Sequence, residues 1–184
     1  MEFKYNCLMI HPSLESLYEA MPELGPVPQY RVVQPDEMPE PYRSLLVHDR
    51  HMTVAMEEYH DDKVEVKVLR RHQTGDSYVR QILLITRKTK FVVQGGMVRI
   101  NLSLFDEPVK AKILEERTPL GHVLIQNDVL RHIDVRSYVK IAPGFAKHSW
   151  PGFSPDVAVY GRLGILYCNL QPAIELFEVI PDYR

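Results

Sequence analysis

From residue 64 to residue 101 the chain consists of three strand-length runs separated by two short polar breaks. "VEVKVLRR" alternates Val64, Val66 and Val68 with Glu65 and Lys67, so one of its faces is wetted. "HQTGD" turns the chain into "SYVRQILLI", "RKTK" turns it again, and "FVVQGGMVRI" returns. Breaks of that length can only join antiparallel neighbours. This stretch therefore commits the chain to an antiparallel sheet, and the rest of the sequence has to cover it.

The middle run poses the sharpest question. At period two, Val79, Leu83 and Ile85 share one face, and Tyr78, Arg80, Ile82 and Leu84 share the other. Both faces are mostly apolar, which predicts a strand covered on both sides. Arg80 then places a guanidinium where an unpaired cation is costly, so it requires an anionic partner from the protein or from a ligand. The pair Gly95–Gly96 in the next run predicts a bulge, or a close approach by another backbone or a ligand.

The remaining elements follow from periodicity and punctuation. "HPSLESLYEAM" predicts a short helix with Ser13 as N-cap. The proline-rich stretch after it, up to residue 40, reads as an extended covering segment. "YRSLLVHDR" and "HMTVAMEEYHD" predict two short helices, the second capped by Thr53 with Glu57 and Glu58 in its early turns. "LFDEPVKAKILEE" reads as a helix with Pro108 in its first turn, and "RTPLGHVLIQND" as a break and a helical turn. "VLRHIDVRSYVKI", "VAVYGRLGILYC" and "AIELFEVI" supply further strands, with a loop at 142–156 carrying the only Trp. The prediction is an α+β fold with a six-stranded antiparallel sheet and helices covering a buried ligand pocket. The 184 residues suit one domain, 1–184, with 1–40 as covering segment and 41–184 as core.

Composition narrows the function. The formal net charge is −2 and the pI about 6.4, without the basic stripe of a nucleic-acid protein. Cys7 and Cys168 form no C-x-x-C motif, so neither a disulfide framework nor a zinc ribbon is expected, and a reducing, cytoplasmic setting fits best. The N-terminal apolar run is too short for a signal peptide or membrane span. His48 and His51 stand three apart but lack a third metal ligand, while His122, His132 and His148 have no partner legible in the sequence. There is no G-x-S-x-G, no G-x-G-x-x-G and no P-loop.

Two further features bear on a site. Pro119 and Gly121 in "TPLG" precede an apolar turn that can leave backbone N–H groups facing a cavity. In "AIELFEVIP", alternation groups Glu178 with Ile174, Leu176 and Ile180, so an acid sits among apolar neighbours as Arg80 does. Either Arg80 and Glu178 pair inside the sheet, or they flank a small charged ligand.

Taken in order, "SLLVHDRHMTVAMEE", "SYVRQILL", "FVVQGGMVRI", "TPLGHVL" and "GRLGILYCNLQPAIELFEVIP" resemble the chorismate pyruvate-lyase family over residues 41 to 181. That resemblance implies a cofactor-independent lyase, without metal, that splits chorismate into 4-hydroxybenzoate and pyruvate. It implies that Arg80 and the backbone N–H groups at Met52 and at Leu120 and Gly121 hold the ring carboxylate. Glu178 would face the oxygen end of the ring, and Arg162 or Arg99 the second carboxylate. Partners would be the small-molecule substrate alone, with the protein a monomer or homodimer, and with no nucleic acid and no membrane. Two departures are visible: Glu178 lies three residues before Pro181 where some members space the acid by four, and His122 stands where many have Arg. The alternatives are a sensor module of the same fold that binds an aromatic carboxylate without chemistry, and an enzyme acting on a related isochorismate- or chorismate-type substrate.

Overall fold

The three runs at 64–101 form a meander of β2 (Val64–Thr74), β3 (Ser77–Thr86) and β4 (Val92–Asn101), each antiparallel to the next. The structure, a computed structural model, describes residues 12–146 and 149–182. Cys7, His148 and the N-terminal run that bears on a signal peptide lie outside the described residues.

Downstream of the meander, α4 (Glu107–Leu114) and α5 (Leu120–Gln126) lead to β5 (Arg131–Ile141), β6 (Val159–Cys168) and β7 (Gln171–Ile180). Asp106 caps α4 by accepting a hydrogen bond from the Val109 N–H at 3.1 Å, and Pro108 occupies the first turn, where no N–H is missed. The β6–β7 hairpin turns on Asn169 and Leu170, both left-handed, at φ 50° and 66°. β7 then inserts beside β4, which joins the C-terminal strands to the meander in one open sheet, ordered β1-β5-β6-β7-β4-β3-β2 and antiparallel throughout.

The sheet has seven strands rather than the expected six. The extra one, β1 (Tyr30–Val33), comes from the proline-rich segment and pairs with β5. Four residues flanked by prolines carry too little periodicity to signal a strand; the free edge of β5 makes it one.

Both faces of the sheet are covered, as the composition of β3 requires. Tyr78 through Leu84 are each no more than 8% exposed. On one face, α1 (Leu14–Glu19) lays Leu14 and Leu17 against Val79, Leu83, Met97 and Phe177, and the loop after β5 adds Trp150 and Phe153. Ser13 caps α1 as expected, accepting from the Ser16 N–H at 3.1 Å. Gly95 belongs to this face: a Cβ there would stand 2.7 Å from the Trp150 ring, so the glycine marks a close approach. The bulge lies one step away, where the β3–β4 register shifts between Leu84 and Ile85.

The opposite face carries α2 (Tyr42–Leu46), α3 (Met52–His60), α4 and α5. Two local expectations for α3 are corrected. Its N-cap is His51, without a side-chain cap, and Thr53 is buried within the first turn. Its first turn holds no acid; Glu57 and Glu58 come later, and Glu57 accepts from the Val64 N–H and Lys63 instead. Among the described residues no helix is long and apolar enough to cross a membrane.

Candidate functional site

Strand register sets out the floor of the helix-covered face. Arg80 stands opposite Val98, which stands opposite Leu176. In the next inward-facing row Ile82, Gly96, Glu178 and Arg162 follow one another across β3, β4, β7 and β6, and beyond it Leu84 faces Gln94. The only residue without a side chain at the middle of this grid is Gly96. Arg80, Gln94 and Glu178 surround it, and a hollow opens above it.

That hollow is a cavity of about 60 Å³, measured as the space open to the centre of a water-sized sphere. Its floor is Arg80, Ile82, Leu84, Gln94, Gly96, Val98, Leu176 and Glu178, and its roof includes His51, Met52, Thr53, Leu120 and Gly121. The roof exists because α3 and α5 meet N-terminus to N-terminus. A Cβ on Gly121 would lie 3.1 Å from Thr53 Oγ1 and 3.2 Å from the His51 Cβ, so a side chain here would push the two helix ends apart by a few tenths of an ångström. Neither helix has a side-chain cap; the cap positions are His51 and Pro119. First-turn N–H groups have no acceptor inside their own helix, and they carry the positive end of the helix dipole.

Arg80 is 1% exposed. Among the described residues no carboxylate forms an ion pair with it. Its Nη1 donates to the Ile113 carbonyl at a long 3.4 Å, and its Nε is buried with no partner. Burial holds the guanidinium below its ordinary pKa; the adjacent Tyr78 hydroxyl and Glu116 beyond it act the other way. Tyr78 donates to Glu116, which also pairs with Arg71 at the surface. Burial, followed by the bond to Glu116, pushes the Tyr78 hydroxyl up to about 12.

Glu178 does not pair with Arg80. Its Oε2 accepts from Arg162 Nε at 2.6 Å, the two residues being direct cross-strand neighbours. The observed register keeps Glu178 on the cavity face and puts Phe177 into the opposite core. Arg162 is fully buried and all three of its nitrogens have protein partners. Besides Glu178 it donates to the carbonyls of His48 at 2.6 Å, Arg50 at 3.1 Å and Leu46 at 3.3 Å. It therefore ties the segment between α2 and α3 down onto the sheet, and it does not line the cavity. Arg99 lies on the other face, bound to Glu175 and Ser16.

The structure thus brings Arg80, Glu178, Met52, Leu120 and Gly121 to one cavity and leaves Arg162 and Arg99 outside its walls. Among the described residues no group of three or more His, Cys, Asp or Glu side chains is placed to hold a metal ion. His48 is bound to the Leu45 carbonyl, and His51 Nε2 accepts from Arg131 Nε at 2.8 Å. Burial first, then Arg131 and Arg162, lower the His51 pKa to about 4, so the ring at the roof is neutral at pH 7.

Two participants escaped the reading of the sequence: His51 as a wall, and Gln94 as a polar side chain beside the Gly96 floor. Gln94 carried the same signal as Arg80, a polar residue inward-facing in an apolar strand. Its side chain is buried, and Oε1 has no hydrogen-bond donor. No known family model matches this chain, and no curated protein sequence matches it.

Proposed function

We propose that the cavity binds a small ring carboxylate, and that the protein is a chorismate pyruvate-lyase-like enzyme, releasing 4-hydroxybenzoate and pyruvate. The observation that carries this reading is Arg80: a buried guanidinium at an apolar cavity, without an anionic partner among the described residues. A cation held in this way is a preformed receptor for a carboxylate, which can accept two parallel hydrogen bonds from it in a water-poor site. The first-turn amides at Met52, Leu120 and Gly121 add fixed dipoles of the same sign.

In the elimination, the ether C–O bond of the ring breaks and its electron pair leaves with enolpyruvate. The neighbouring ring carbon loses its proton, and the ring becomes aromatic. Enolpyruvate then takes a proton on carbon to become pyruvate. What the chain contributes is confinement of the reactive ring conformer, fixed positive charge and exclusion of water. Glu178 borders the cavity as a carboxylate whose position is fixed by Arg162, so it is placed to accept a hydrogen bond or a proton.

A second reading is favoured by the size of the cavity. About 60 Å³ corresponds to about four to six waters. That is less than the roughly 150 Å³ of a dry cavity that holds one benzene, so a ring with one carboxylate requires the walls to give, and a ring bearing a second acidic arm requires them to give more. A binding module for an aromatic acid would need the smaller opening of the two. Purified protein mixed with chorismate separates the two. Pyruvate and 4-hydroxybenzoate appearing in equal amounts support the enzyme. A rise in melting temperature with 4-hydroxybenzoate, without turnover of chorismate, supports the binding module. No response to either compound refutes both.

A further inference from the structure

His51 stands between two spaces. It lines the closed cavity, and together with Arg131 it lines an open groove on the protein surface. Arg131 itself is not a wall of the cavity. From the groove side Arg131 Nε donates to His51 Nε2 at 2.8 Å, while its Nη1 is anchored on the Val129 carbonyl at 2.9 Å.

That one bond fixes the protonation of the whole ring. A guanidinium has only donors, so the ring nitrogen that meets it must be bare. The ring is neutral at pH 7, because burial first, and then Arg131 and Arg162, lower its pKa to about 4. A neutral imidazole carries one proton, which therefore sits on Nδ1. Among the described residues Nδ1–H has no hydrogen-bond acceptor.

The same assignment explains the open end of α3. His51 occupies the N-cap position with an extended backbone, φ −60° and ψ 131°, yet its side chain accepts no hydrogen bond from the helix. A nitrogen that bears a proton cannot accept one. Instead of covering the first-turn amide at Met52, the ring adds a further donor beside it. The two nitrogens of an imidazole diverge, so with Nε2 turned to Arg131 in the groove, Nδ1 is left for the cavity side.

We infer that His51 is a ligand-binding residue of this cavity and Arg131 its positioning residue: Nδ1–H donates to an oxygen of the acid group that Arg80 holds, and Arg131 keeps the ring in the tautomer that can do so. This rests on the carboxylate reading of Arg80. It adds to that reading an uncharged side-chain donor at the roof, held from outside the cavity. The plain structural alternative is that the His51–Arg131 bond only fastens α3 to β5.

The test is a calorimetric titration of the full chain with benzoate. His51→Gln carries a carbonyl that reaches Arg131 as Nε2 does, but has no donor at the Nδ1 position. His51→Asn is the reverse: it sets an amide N–H where Nδ1–H stands and gives up the bond to Arg131. Affinity is expected to fall about tenfold or more in His51→Gln and to stay within about threefold of the unaltered protein in His51→Asn, as for loss and retention of one hydrogen bond to a charged group. A fastening role alone predicts the opposite order, and that order, or equal affinity in the two variants, overturns the inference. Nitrogen-15 spectra of the histidine rings read the tautomer directly, the His51 signals being those missing in His51→Gln. The proton is expected on Nδ1 at pH 7. In Arg131→Met the signals should move toward a mixture of both tautomers, with weaker benzoate binding although Arg131 is not a cavity wall. A proton on Nε2 in the unaltered protein, or on both nitrogens, refutes the assignment. If benzoate binding is lost in Arg80→Met but unchanged in His51→Gln, the carboxylate reading stands and only the His51 inference falls. If benzoate does not bind the unaltered protein, both fall.

Discussion

Replacing Arg80 by methionine should make the protein without ligand more stable and abolish the proposed binding of ring carboxylates. Arg80 is 1% exposed, has no carboxylate partner among the described residues, leaves Nε unbonded, and has a long 3.4 Å contact to the Ile113 carbonyl beside its contact with the Tyr78 hydroxyl. Methionine has similar length, no charge, and enough flexibility to fill the same channel among Ile82, Val98 and Leu176. Exchanging buried ionic groups for apolar ones of similar volume is neutral to stabilising by about 1–4 kcal/mol. Loss of the weak Ile113 bond and of the Tyr78 contact subtracts from this, so a gain of about 1–2 kcal/mol is expected. In a chain of this size that is a rise in melting temperature of roughly 2–8 °C. Differential scanning calorimetry without ligand measures it. Repeating the scan with 4-hydroxybenzoate at a hundred times its dissociation constant should stabilise the unaltered protein by about 2.7 kcal/mol and the variant not at all. A variant that melts lower than the unaltered protein by several degrees would refute the reasoning. Arg80 would then be a structural anchor for the Tyr78–Glu116–Arg71 chain rather than a receptor kept empty for a guest.

Glu178→Ala removes the charge partner of a fully buried guanidinium, and should cost about 3 kcal/mol in urea unfolding, the low end of the usual range because Glu178 is partly exposed. The double variant Arg162→Met/Glu178→Leu should recover most of that loss; a double variant as unstable as the single one would show that the contacts of Arg162 with the 46–50 carbonyls matter more than the pair. His51 titrates at about 4 when folded and near 6.5 when unfolded, so the unfolded chain binds the extra proton between those values. Its contribution to stability is complete above about pH 6.5 and is lost as pH falls toward 4, and His51→Gln, which keeps an acceptor for Arg131, should flatten that part of the stability–pH curve; an unchanged slope would refute a neutral His51.

Much of this fold follows from local pattern. The alternation in β2, the doubly apolar faces of β3 and the two short polar turns dictate an antiparallel meander before any tertiary contact is considered, because period-two patterning fixes which side chains share a face. Ser13 and Asp106 announce helix starts for the same local reason: their side chains satisfy N–H groups within three residues. The buried position of Arg80 and the inward face of Glu178 are legible in this way too. Only the tertiary structure decided their partners. Which carboxylate meets which guanidinium depends on β7 inserting between β4 and β6, a register no local signal records, and that insertion gave Glu178 to Arg162 and left Arg80 with neither. The same holds for β1, which becomes a strand because β5 offers an edge. It holds for Thr53, which faces Gly121 across a helix contact instead of capping its own helix. The identity of each inward side chain is a property of the chain's own periodicity; the empty space above Gly96, and the two polar atoms left unanswered beside it, exist only once seven strands and two helix ends are brought together.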